Sequence, residues 1–284
     1  MDRTRNHHQF ISMKTALIIS VYKNTADLAV VLKSVEQQSV SDFITVISED
    51  GNSTEMADFV KNYSGKLDLI HLTQEDLGWQ KNKALNNTIR TIDADYFIFI
   101  DGDCVLHPNF IENHLKFARE DRILAGKRIK LGPNYSDRLR NAKTVSEFAK
   151  VILPEIKSIK KDGAKFYEEG IYISPKSIFS FIAYLRKMSQ IKGCNFSCYK
   201  SALEKINGFN EDYVLPAIGE DIDLTWRFEG MGYHLYSLRN FAVQYHLYHK
   251  ENWSDQSVNE AIMKENQRLK RYVTLNGLKK LEEN

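Results

Sequence analysis

An acidic pair separated by one glycine is the part of the sequence best suited to chemistry. Asp101-Gly102-Asp103 directly follows the apolar run Tyr96–Ile100. Gly102 gives the backbone the freedom to turn tightly, so both carboxylates could hold Mg²⁺ or Mn²⁺ against a diphosphate. Aspartate and glycine are also common in ordinary turns, so the motif alone is equally compatible with a structural turn. Its place after a buried run favours the metal site.

A second acidic motif, Glu49-Asp50-Gly51, ends the apolar run Phe43–Ser48. A carboxylate at this position could accept hydrogen bonds from a nucleotide base or a ribose. Capping of the next helix by Asp50 or Ser53 is a comparably good explanation. The motif by itself does not decide between the two.

A third acidic motif, Gly219-Glu220-Asp221, opens the helical segment GEDIDLTWRF. The N-terminus of a helix favours negative charge, so capping by either acid is one explanation. If Asp221 faces the metal site, its carboxylate could instead take the proton of an attacking hydroxyl as a general base. Glu220 would then anchor the acceptor.

His246 and His249 end the last apolar run of the chain, in the sequence YHLYH. An imidazole there could complete the coordination of a metal beside Asp103, although the spacing does not say which one. A polar surface role is the alternative for both histidines.

Two lysines and two tryptophans offer weaker signals. Lys81 and Lys83 follow Gly78-Trp79, where an ammonium could reach a phosphate, and a solvated helix face explains them equally well. Trp79 and Trp226 could each stack on a sugar, but core packing is the commoner role of tryptophan.

The elements that must position these residues follow from the hydrophobic pattern. Continuous apolar runs predict buried strands, and apolar residues at a spacing of three to four predict helices between them. The first hundred residues therefore read βαβαβαβ, with strands at Lys14–Tyr22, Phe43–Ser48, Leu67–Leu72 and Tyr96–Ile100 and helices at Asn24–Gln38, Ser53–Tyr63 and Trp79–Thr91. This order indicates an α/β fold with a doubly wound parallel sheet, whose ligands bind at the carboxyl ends of the strands. The first two acidic motifs both follow strands at that edge.

The second half has a different pattern. It predicts a long helical stretch, a strand, a short helix, another helix, a closing hairpin or strand pair and a charged C-terminal helix, at Asp137–Ser158, Gly193–Tyr199, Lys200–Ile206, Asp221–Met231, Tyr233–His246 and Gln256–Glu283. The segment Ser177–Ile191 combines aromatic and aliphatic residues with basic ones, as an interfacial helix does. A helix packed on the core is the explanation we favour for it.

Composition excludes several classes of protein. The chain has 284 residues, 43% of them hydrophobic, and a net charge of +2, so it has no long-range positive field suited to nucleic acid. Its three cysteines form no paired framework and indicate reduced thiols. No apolar run is long enough to span a membrane, and Met1–Ser12 lacks the apolar segment of an export signal. We therefore expect a cytoplasmic protein whose first 13 residues (1–13) are a flexible lead-in.

Taken in order, the motifs resemble those of family 2 glycosyltransferases with the GT-A fold. SVYKN, EDGNS, GWQKNKALN and FIFIDGDC carry the resemblance over residues 14–124. GCNFSCYKSALEKINGFNE, GEDIDLTWRFEGMGY and VQYHLYH resemble a galactosyltransferase-type C-terminal segment. The resemblance implies a single GT-A domain over residues 14–250, a mixed sheet flanked by helices. Its parts would be a nucleotide-sugar-binding half (14–124), a variable acceptor-side insertion (125–192) and an acceptor and catalytic half (193–250), followed by a C-terminal helical segment (251–284).

The resemblance also implies roles for individual residues. The catalytic residues would be Asp221, as the base, and Glu220. The metal ligands would be Asp101, Asp103 and His246. Donor contacts would come from Ser20, Tyr22, Glu49, Asp50, Lys83, Asp101 and Gly102. Acceptor contacts would come from Gly193, Asn195, Glu220 and Trp226.

The implied activity is metal-dependent transfer of a sugar from a nucleotide carrier, with inversion of the anomeric centre. We expect a UDP-sugar donor, Mn²⁺ or Mg²⁺, and a glycan or lipid-linked glycan acceptor at the cytoplasmic face of the membrane. Two segments depart from the family pattern, at Ser20–Lys23 and Lys81–Lys83, and both bear on phosphate contacts. A nucleotidyltransferase is one alternative, but Ser20–Thr25 lacks the glycines of a phosphate loop. A non-catalytic glycan-binding relative is the other.

Overall fold

The computed structural model describes residues 13–216, 218–250 and 255–282. The predicted lead-in therefore lies outside the described residues except for Met13. The strands are β1 Thr15–Val21, β2 Ile44–Glu49, β3 Leu69–Leu72, β4 Tyr96–Asp101, β5 Cys104–Leu106, β6 Arg122–Ala125, β7 Arg128–Lys130, β8 Asn195–Tyr199, β9 His234–Ser237 and β10 Gln244–His246. The helices are α1 Thr25–Val35, α2 Thr54–Lys61, α3 Lys81–Thr91, α4 Phe110–Phe117, α5 Pro133–Arg140, α6 Val145–Ile152, α7 Ile156–Lys161, α8 Ser180–Tyr184, α9 Lys200–Lys205, α10 Asp223–Gly230 and α11 Ser257–Arg268.

A seven-stranded mixed sheet forms the centre of the fold, in the order β3-β2-β1-β4-β8-β6-β9. The first four strands pair in parallel, as the βαβ pattern predicts. β8 then runs antiparallel to both β4 and β6. The mixed α/β sheet flanked by helices is therefore confirmed.

The two faces of this sheet carry separate hydrophobic cores, because successive side chains of a strand point in opposite directions. In β1, Leu17 and Ile19 contribute to one core, with α1, α2, α4 and α6 packed against it. Ala16 and Ile18 contribute to the other core, which α3, α9 and α10 cover. Helices on both faces explain why β1 and β4 read as continuous apolar runs.

A small second sheet, in the order β5-β10-β7, lies beside the end of β4. β5 begins one residue after the acidic turn and pairs antiparallel with β10, which sets His246 opposite Cys104. β10 also pairs in parallel with β7. This short ladder places His246 opposite Cys104 and therefore close to Asp103, the preceding residue.

Three secondary-structure predictions for the second half were wrong. The long helix over Asp137–Ser158 is three short helices, because the Thr144 hydroxyl caps a new helix and Pro154 ends it. Tyr233–His246 is neither a hairpin nor a strand pair, since β9 and β10 belong to different sheets and do not pair with each other. The C-terminal helix ends at Arg268, shortly before Lys270 adopts a left-handed backbone with a φ of 51°.

The predicted parts of the domain do not separate in space. The boundary between residues 124 and 125 falls inside β6, and β7 of the supposed insertion pairs with β10 of the last part. The C-terminal segment packs back as well, since the Leu278 amide donates to the carbonyl of Asn207 at 2.9 Å. None of the helices among the described residues is both long and apolar enough to cross a bilayer.

The segment Ser177–Ile191 does not form the core-packed helix that we favoured. Its only helix is α8, of five residues, and Ala183 is the one member of α8 that is buried. The large apolar side chains on either side of Ala183 are exposed instead. The short helix arises because Pro175 and two serines turn the chain before it, and no periodic apolar face follows.

We predict that a buried histidine makes stability depend on pH. His114 of α4 is fully buried against strand β8, and burial, opposed by a hydrogen bond to Asn195, lowers its pKa from 6.5 to about 3. The unfolded chain therefore binds a proton that the folded chain refuses, and stability is lost as the pH falls below 6.5. Each such histidine contributes roughly 1.4 kcal/mol per pH unit. We expect His114→Gln to flatten the slope measured by urea unfolding between about pH 6 and pH 4.5.

The exposed His234 supplies the control, because His234→Gln removes a histidine without removing a buried one. Some slope should remain in His114→Gln, since burial also lowers the pKa of His107 to about 4. An unchanged slope in His114→Gln would contradict the assignment.

Candidate functional site

A cavity of about 560 Å³ opens at the carboxyl ends of β1, β2 and β4. The sheet edge predicted from the sequence is thus where a ligand-sized space exists. Two of the three acidic motifs meet there, together with Trp79 from the segment before α3. The lining residues are Ser20, Val21, Tyr22, Asn24, Ser48, Asp50, Gly78, Trp79, Lys81, Ala84, Asp101, Gly102, Asp103 and His249.

The acidic turn follows from the pairing of β1 with β4. Ser20 lies opposite Asp101 in the parallel register, and the Gly102 amide donates to the Ser20 carbonyl at 2.8 Å. A Cβ on Gly102 would lie 2.8 Å from Cγ1 of Val21 and 3.1 Å from that carbonyl oxygen. Glycine is therefore required at this position, because the ends of strands β1 and β4 approach each other closely.

The two aspartates of the turn have different partners. One carboxylate oxygen of Asp101 lies 2.7 Å from Nζ of Lys81, and the other lies 3.3 Å from a guanidinium nitrogen of Arg128. Asp101 is thus held between two cations, and its carboxylate lies outside the metal-ligating cluster that Asp103 joins. The structure brings Asp101 to the cavity, where its carboxylate lies within 4.8 Å of the thiols of Cys104 and Cys194 in a second group that could hold a metal ion, so its role as a metal ligand stays a prediction.

Asp103 lies with two histidines in a group that could hold a metal ion. Its Oδ2 is 3.3 Å from Nε2 of His246 and 3.3 Å from Nε2 of His249, and the two imidazole nitrogens are 3.3 Å apart. One carboxylate and two imidazoles are a ligand set that fits a first-row divalent ion. The sequence left His246 and His249 as alternatives, and the structure brings both to Asp103.

The same histidines set the charge of Asp103. Burial opposes ionisation of its carboxyl group, but hydrogen bonds from His246 and His249 outweigh burial and hold its pKa well below the usual value. An ionised carboxylate is the form that ligates a metal. The Asp103 carboxylate therefore needs to lose no proton before it binds a cation, whereas an imidazole whose Nε2–H donates to it must release that proton before this nitrogen can ligate.

Asp50 lies across the cavity from the metal-ligating group. Its two carboxylate oxygens accept hydrogen bonds from the Gln74 side chain and from the Gln80 amide, both at 2.8 Å. Burial raises the pKa of Asp50 and these two bonds oppose the rise. The side chain is thus fixed in place with an oxygen face toward the cavity, where a base or ribose donor could bind.

Glu49 does not reach the cavity. Its Oε1 accepts from the amide of Ser53 at 2.9 Å, and its Oε2 lies 2.9 Å from the His71 ring. The alternation of side chains along β2 explains this, because Glu49 and Asp50 point to opposite sides. The carboxylate of Glu49 secures the start of α2, which Ser53 caps as the sequence allowed.

Lys81, rather than Lys83, is the lysine at the site. Two residues further along α3, Lys83 faces away from the cavity and lies 3.3 Å from the Gln80 side chain. Residues i and i+2 of a helix point about 200° apart, so only one of the two could face the site. Ser20 and Tyr22 line the cavity as predicted, and the Tyr22 hydroxyl lies 2.9 Å from Nζ of Lys23.

Asp221 lies in a single π-helical turn, Ile218–Ile222, before α10. Its carboxylate accepts from the Gly193 amide at 2.6 Å and from Nζ of Lys192 at 3.1 Å. Cys194 follows Gly193 in the chain, and its thiol lies within 4.8 Å of the Asp101 carboxylate. The third acidic motif is therefore tied to the chain segment that borders the acidic turn, although Asp221 does not line the 560 Å³ cavity.

Of the remaining predicted acceptor residues, Asn195 and Trp226 belong to the scaffold around the site, and the side chain of Glu220 lies outside the described part of the chain. Asn195 is fully buried, and its amide donates to the carbonyls of Lys127 and Ala242. Trp226 packs against Tyr272, with ring centroids 4.7 Å apart, whereas Trp79 is the tryptophan that lines the cavity. Gly193 reaches the site through its amide.

Two important groups had not been assigned from the sequence. Arg128 was missed because β7 is a three-residue strand without a motif. The buried pair Asp223–Arg227, with Nε and Oδ2 2.6 Å apart, was missed although its i, i+4 spacing within GEDIDLTWRF is visible. Tyr213 also donates to Asp223 at 3.0 Å, so this pair fixes the helix that follows Asp221.

Two family models match the chain. The model described as glycosyl transferase family 2 matches residues 16–185, and the model described as the N-terminal domain of galactosyltransferase matches residues 174–250. The two regions cover both halves of the site, including all three acidic motifs and His246. Of the two enzyme classes that the sequence left open, this result supports the transferase of sugars.

Several curated proteins are similar to the chain over most of its length. They include a hyaluronan synthase of Pasteurella multocida (25% identical over 56% of this chain and 16% of the relative), a validoxylamine A glucosyltransferase of Streptomyces hygroscopicus subsp. jinggangensis (24%, 76% and 51%) and a chondroitin synthase of Escherichia coli (22%, 89% and 38%). The chain thus spans about half or less of the length of these relatives.

Solved glycosyltransferase structures share the fold. The mannosyltransferase PcManGT of Pyrobaculum calidifontis, in complex with GDP-Man and Mn²⁺, superposes with a TM-score of 0.53 at 14% identity, over 92% of this chain and 63% of that one. The S. aureus protein TarS, in complex with UDP-GlcNAc, gives 0.52 at 15% identity, over 84% and 60%. The GT-A fold expected from the motifs is therefore confirmed.

We predict that Gly102 is required for the shape of the acidic turn. Gly102→Ala should lower the free energy of unfolding by roughly 1–3 kcal/mol, because the new Cβ meets Val21 and the Ser20 carbonyl. Val21→Ala removes the nearer of these atoms. The double variant should therefore be more stable than the sum of the two single effects predicts, by at least about 0.5 kcal/mol. Urea unfolding of the four proteins measures this coupling, and strict additivity would show that the contact does not limit the turn.

Proposed function

The chain belongs to glycosyltransferase family 2, and on that premise we propose that it transfers a sugar from a nucleoside diphosphate to an acceptor hydroxyl with inversion. The single observation that carries the proposal is the arrangement around the 560 Å³ cavity, with Asp50 on one side and the Asp103–His246–His249 group on the other. A nucleotide-sugar needs both features, since its base and ribose offer hydrogen-bond donors and its diphosphate needs a counter-charge.

Asp103, His246 and His249 would hold a divalent cation, which would neutralise the diphosphate leaving group when bound. Two imidazole ligands are unfavourable for Mg²⁺, which prefers oxygen, so we propose Mn²⁺. Lys81 and Arg128 would add positive charge through their contacts to Asp101 at the same turn. Asp101 then shapes the local charge, and the ribose is its proposed contact.

Asp50 is the proposed contact for the nucleotide base, because its fixed carboxylate can accept a hydrogen bond from a ring N–H. Uracil and guanine both carry such a donor. We propose a UDP-sugar, and Trp79 on the wall of the cavity would stack on a flat part of the donor.

Asp221 is the proposed general base. The Gly193 amide and the Lys192 ammonium both donate to its carboxylate and hold it beside the chain segment that borders the acidic turn. The carboxylate would take the proton of the acceptor hydroxyl as that oxygen attacks the anomeric carbon from the face opposite the leaving group. One new C–O bond then replaces the bond to the nucleotide, and the anomeric centre inverts.

The acceptor would bind on the side of Lys192, Gly193 and Asp221, because the donor side is occupied by the nucleotide contacts. We propose a glycan or a lipid-linked glycan as acceptor, at the cytoplasmic face of the membrane. The activities named for the relatives, chondroitin and hyaluronan synthesis, are of this general kind.

We predict that donor binding stabilises the protein in a metal-dependent way. In a panel of UDP-, GDP-, dTDP- and CMP-sugars, each with and without Mn²⁺ or Mg²⁺, the UDP-sugars should raise the melting temperature and the CMP-sugars should not, because cytosine has no ring N–H for Asp50 to accept. A saturating ligand adds roughly 2–4 kcal/mol of stability. Asp103→Ala should abolish the metal-dependent part, and His246→Ala and His249→Ala should each weaken Mn²⁺ binding about tenfold or more in titration calorimetry.

His234→Gln is the matched control, because this histidine is exposed and belongs to β9, away from the ligand set. An unchanged Mn²⁺ titration in His246→Ala or His249→Ala would remove that residue as a ligand. No shift with any sugar nucleotide in the presence of metal would favour the non-catalytic alternative.

We predict that Asp221→Asn keeps donor binding and loses transfer. The amide is nearly the same shape but cannot accept the hydroxyl proton, so the rate should fall by about 10²–10⁴-fold. The exposed Asp58→Asn on α2 is the control for removal of one negative charge. Release of nucleoside diphosphate from the panel donor, with a mixed glycan acceptor pool, measures transfer. Full transfer by Asp221→Asn would exclude it as the base, and release of sugar 1-phosphate in place of nucleoside diphosphate would identify a nucleotidyltransferase instead.

A further inference from the structure

The apolar protrusion, residues 178–185, is an unusual surface for a folded domain. Ile178 is 83% exposed and Leu185 is 75% exposed, at its two ends. Between them, further large apolar side chains are also exposed: Phe179, Phe181, Ile182 and Tyr184. Contiguous exposed apolar residues of this kind mark a surface that contacts something other than water.

The protrusion is held in place by contacts at its base. Arg186, at its end, donates to the Glu169 carboxylate at 2.9 Å and to the Asn240 side chain at 2.6 Å. The ring of Tyr184 packs edge-on against Phe241, with centroids 5.0 Å apart, and also contacts Phe117. The apolar side chains are therefore presented on an anchored base.

The charged residues in the chain segment that contains the protrusion are all basic, and acidic partners from other segments lie only near Arg186 (Glu168 and Glu169) and Lys176 (Glu112) among the described residues. From residue 170 to residue 203 the sequence contains five basic residues and no acidic one. Lys176 and Lys187 flank the protrusion and are exposed. Lys116 lies beside Phe117, its Nζ 5.8 Å from the ring that Tyr184 contacts. Apolar residues bordered by lysines are complementary to a surface that is both apolar and negatively charged.

We propose that the apolar protrusion inserts into the interfacial region of a bilayer that contains anionic lipid. Side chains of this type bury their apolar parts among the acyl chains while flanking lysines bind the headgroups. A second copy of the chain is the less suitable occupant, because a symmetric contact would bring the lysines of both copies together. The proposal goes beyond the transfer reaction, and its test needs no donor.

The protrusion is joined to the site by a short connection. Residues 186–192 lead from Leu185 to Lys192, whose ammonium lies 3.1 Å from Asp221. Within this connection, the amide of Ile191 donates to the Thr225 hydroxyl of α10 at 2.9 Å, which fixes the connection to that helix. Docking at the protrusion would hold the proposed base near the bilayer surface, where the hydroxyl of a lipid-linked acceptor lies.

Flotation of the full-length protein with vesicles tests the proposal. We expect binding to phosphatidylcholine vesicles with about 30% phosphatidylglycerol, and at least about tenfold weaker binding to pure phosphatidylcholine. Ile178→Ser combined with Leu185→Ser should reduce binding to the anionic vesicles at least about tenfold, because two exposed apolar side chains no longer insert. Val258→Ser combined with Leu269→Ser removes two exposed apolar residues of the C-terminal segment and should leave binding unchanged.

The charge arm uses Lys176→Gln combined with Lys187→Gln, which should weaken binding to the anionic vesicles about tenfold or more and remove most of its salt dependence. Unchanged melting temperatures of all variants verify that they are folded. Equal flotation of the Ile178/Leu185 variant and the wild type would overturn the proposal. So would a dimer in sedimentation analysis that this variant abolishes, since the occupant would then be a second copy. The two proposals can fail separately. If the protein binds vesicles but no sugar nucleotide, the membrane proposal stands and the proposed function fails.

Discussion

Strand β4 pairs with a parallel neighbour, β1, on one side and with an antiparallel neighbour, β8, on the other. The parallel partner brings the turn after β1 and the acidic turn after β4 to the same edge of the sheet. The antiparallel partner begins at that edge, so the residues just before Asn195 also lie there. One strand between two unlike neighbours thus gathers donor-side groups from the first half and acceptor-side groups from the second half. A wholly parallel sheet would have left the start of β8 at the opposite edge.

The acidic turn at the end of β4 shows how neighbours divide the roles of two chemically identical side chains. Asp101 lies between the cationic groups of Lys81 and Arg128, so much of its charge is neutralised within the protein. Asp103 has two imidazoles beside one of its oxygens, which can serve as ligands themselves, and the Cys104 thiol beside the other. The turn therefore presents one balanced carboxylate and one that remains available to a cation. Gly102 keeps both carboxylates in place, because it lets the ends of strands β1 and β4 approach each other closely.

The first half of the fold was predictable because its signals are local. Each buried strand is an apolar run such as Tyr96–Ile100, and each helix follows within a few residues. The second half depends on pairing between distant segments. Nothing near Tyr233 tells that β9 joins the large sheet while β10 joins β5, and these choices are made by contacts more than a hundred residues apart in sequence.

For the site, residue type was predictable and side-chain direction was not. Asp50, Asp103 and His246 came from motifs that follow strands, and the structure brings them to one edge. Glu49 and Lys83 were expected beside the donor, yet each points away because strand and helix geometry alternates the facing of neighbours. His249 and Lys81 face the site, and only the three-dimensional arrangement separates them from adjacent residues of the same type.

The register between β5 and β10 decides which side chain of β10 joins the proposed ligand set. His246 stands opposite Cys104, and its neighbours Tyr245 and Leu247 are fully buried in the core. If the register slipped by one residue, the side chain of Tyr245 or Leu247 would replace the imidazole at the edge of the site. The imidazole of His246 would then point into the apolar core. The segment between β9 and β10 helps to hold this register, since Leu238, Phe241 and Val243 within it are fully buried and leave no surface loop in which an inserted residue could be absorbed.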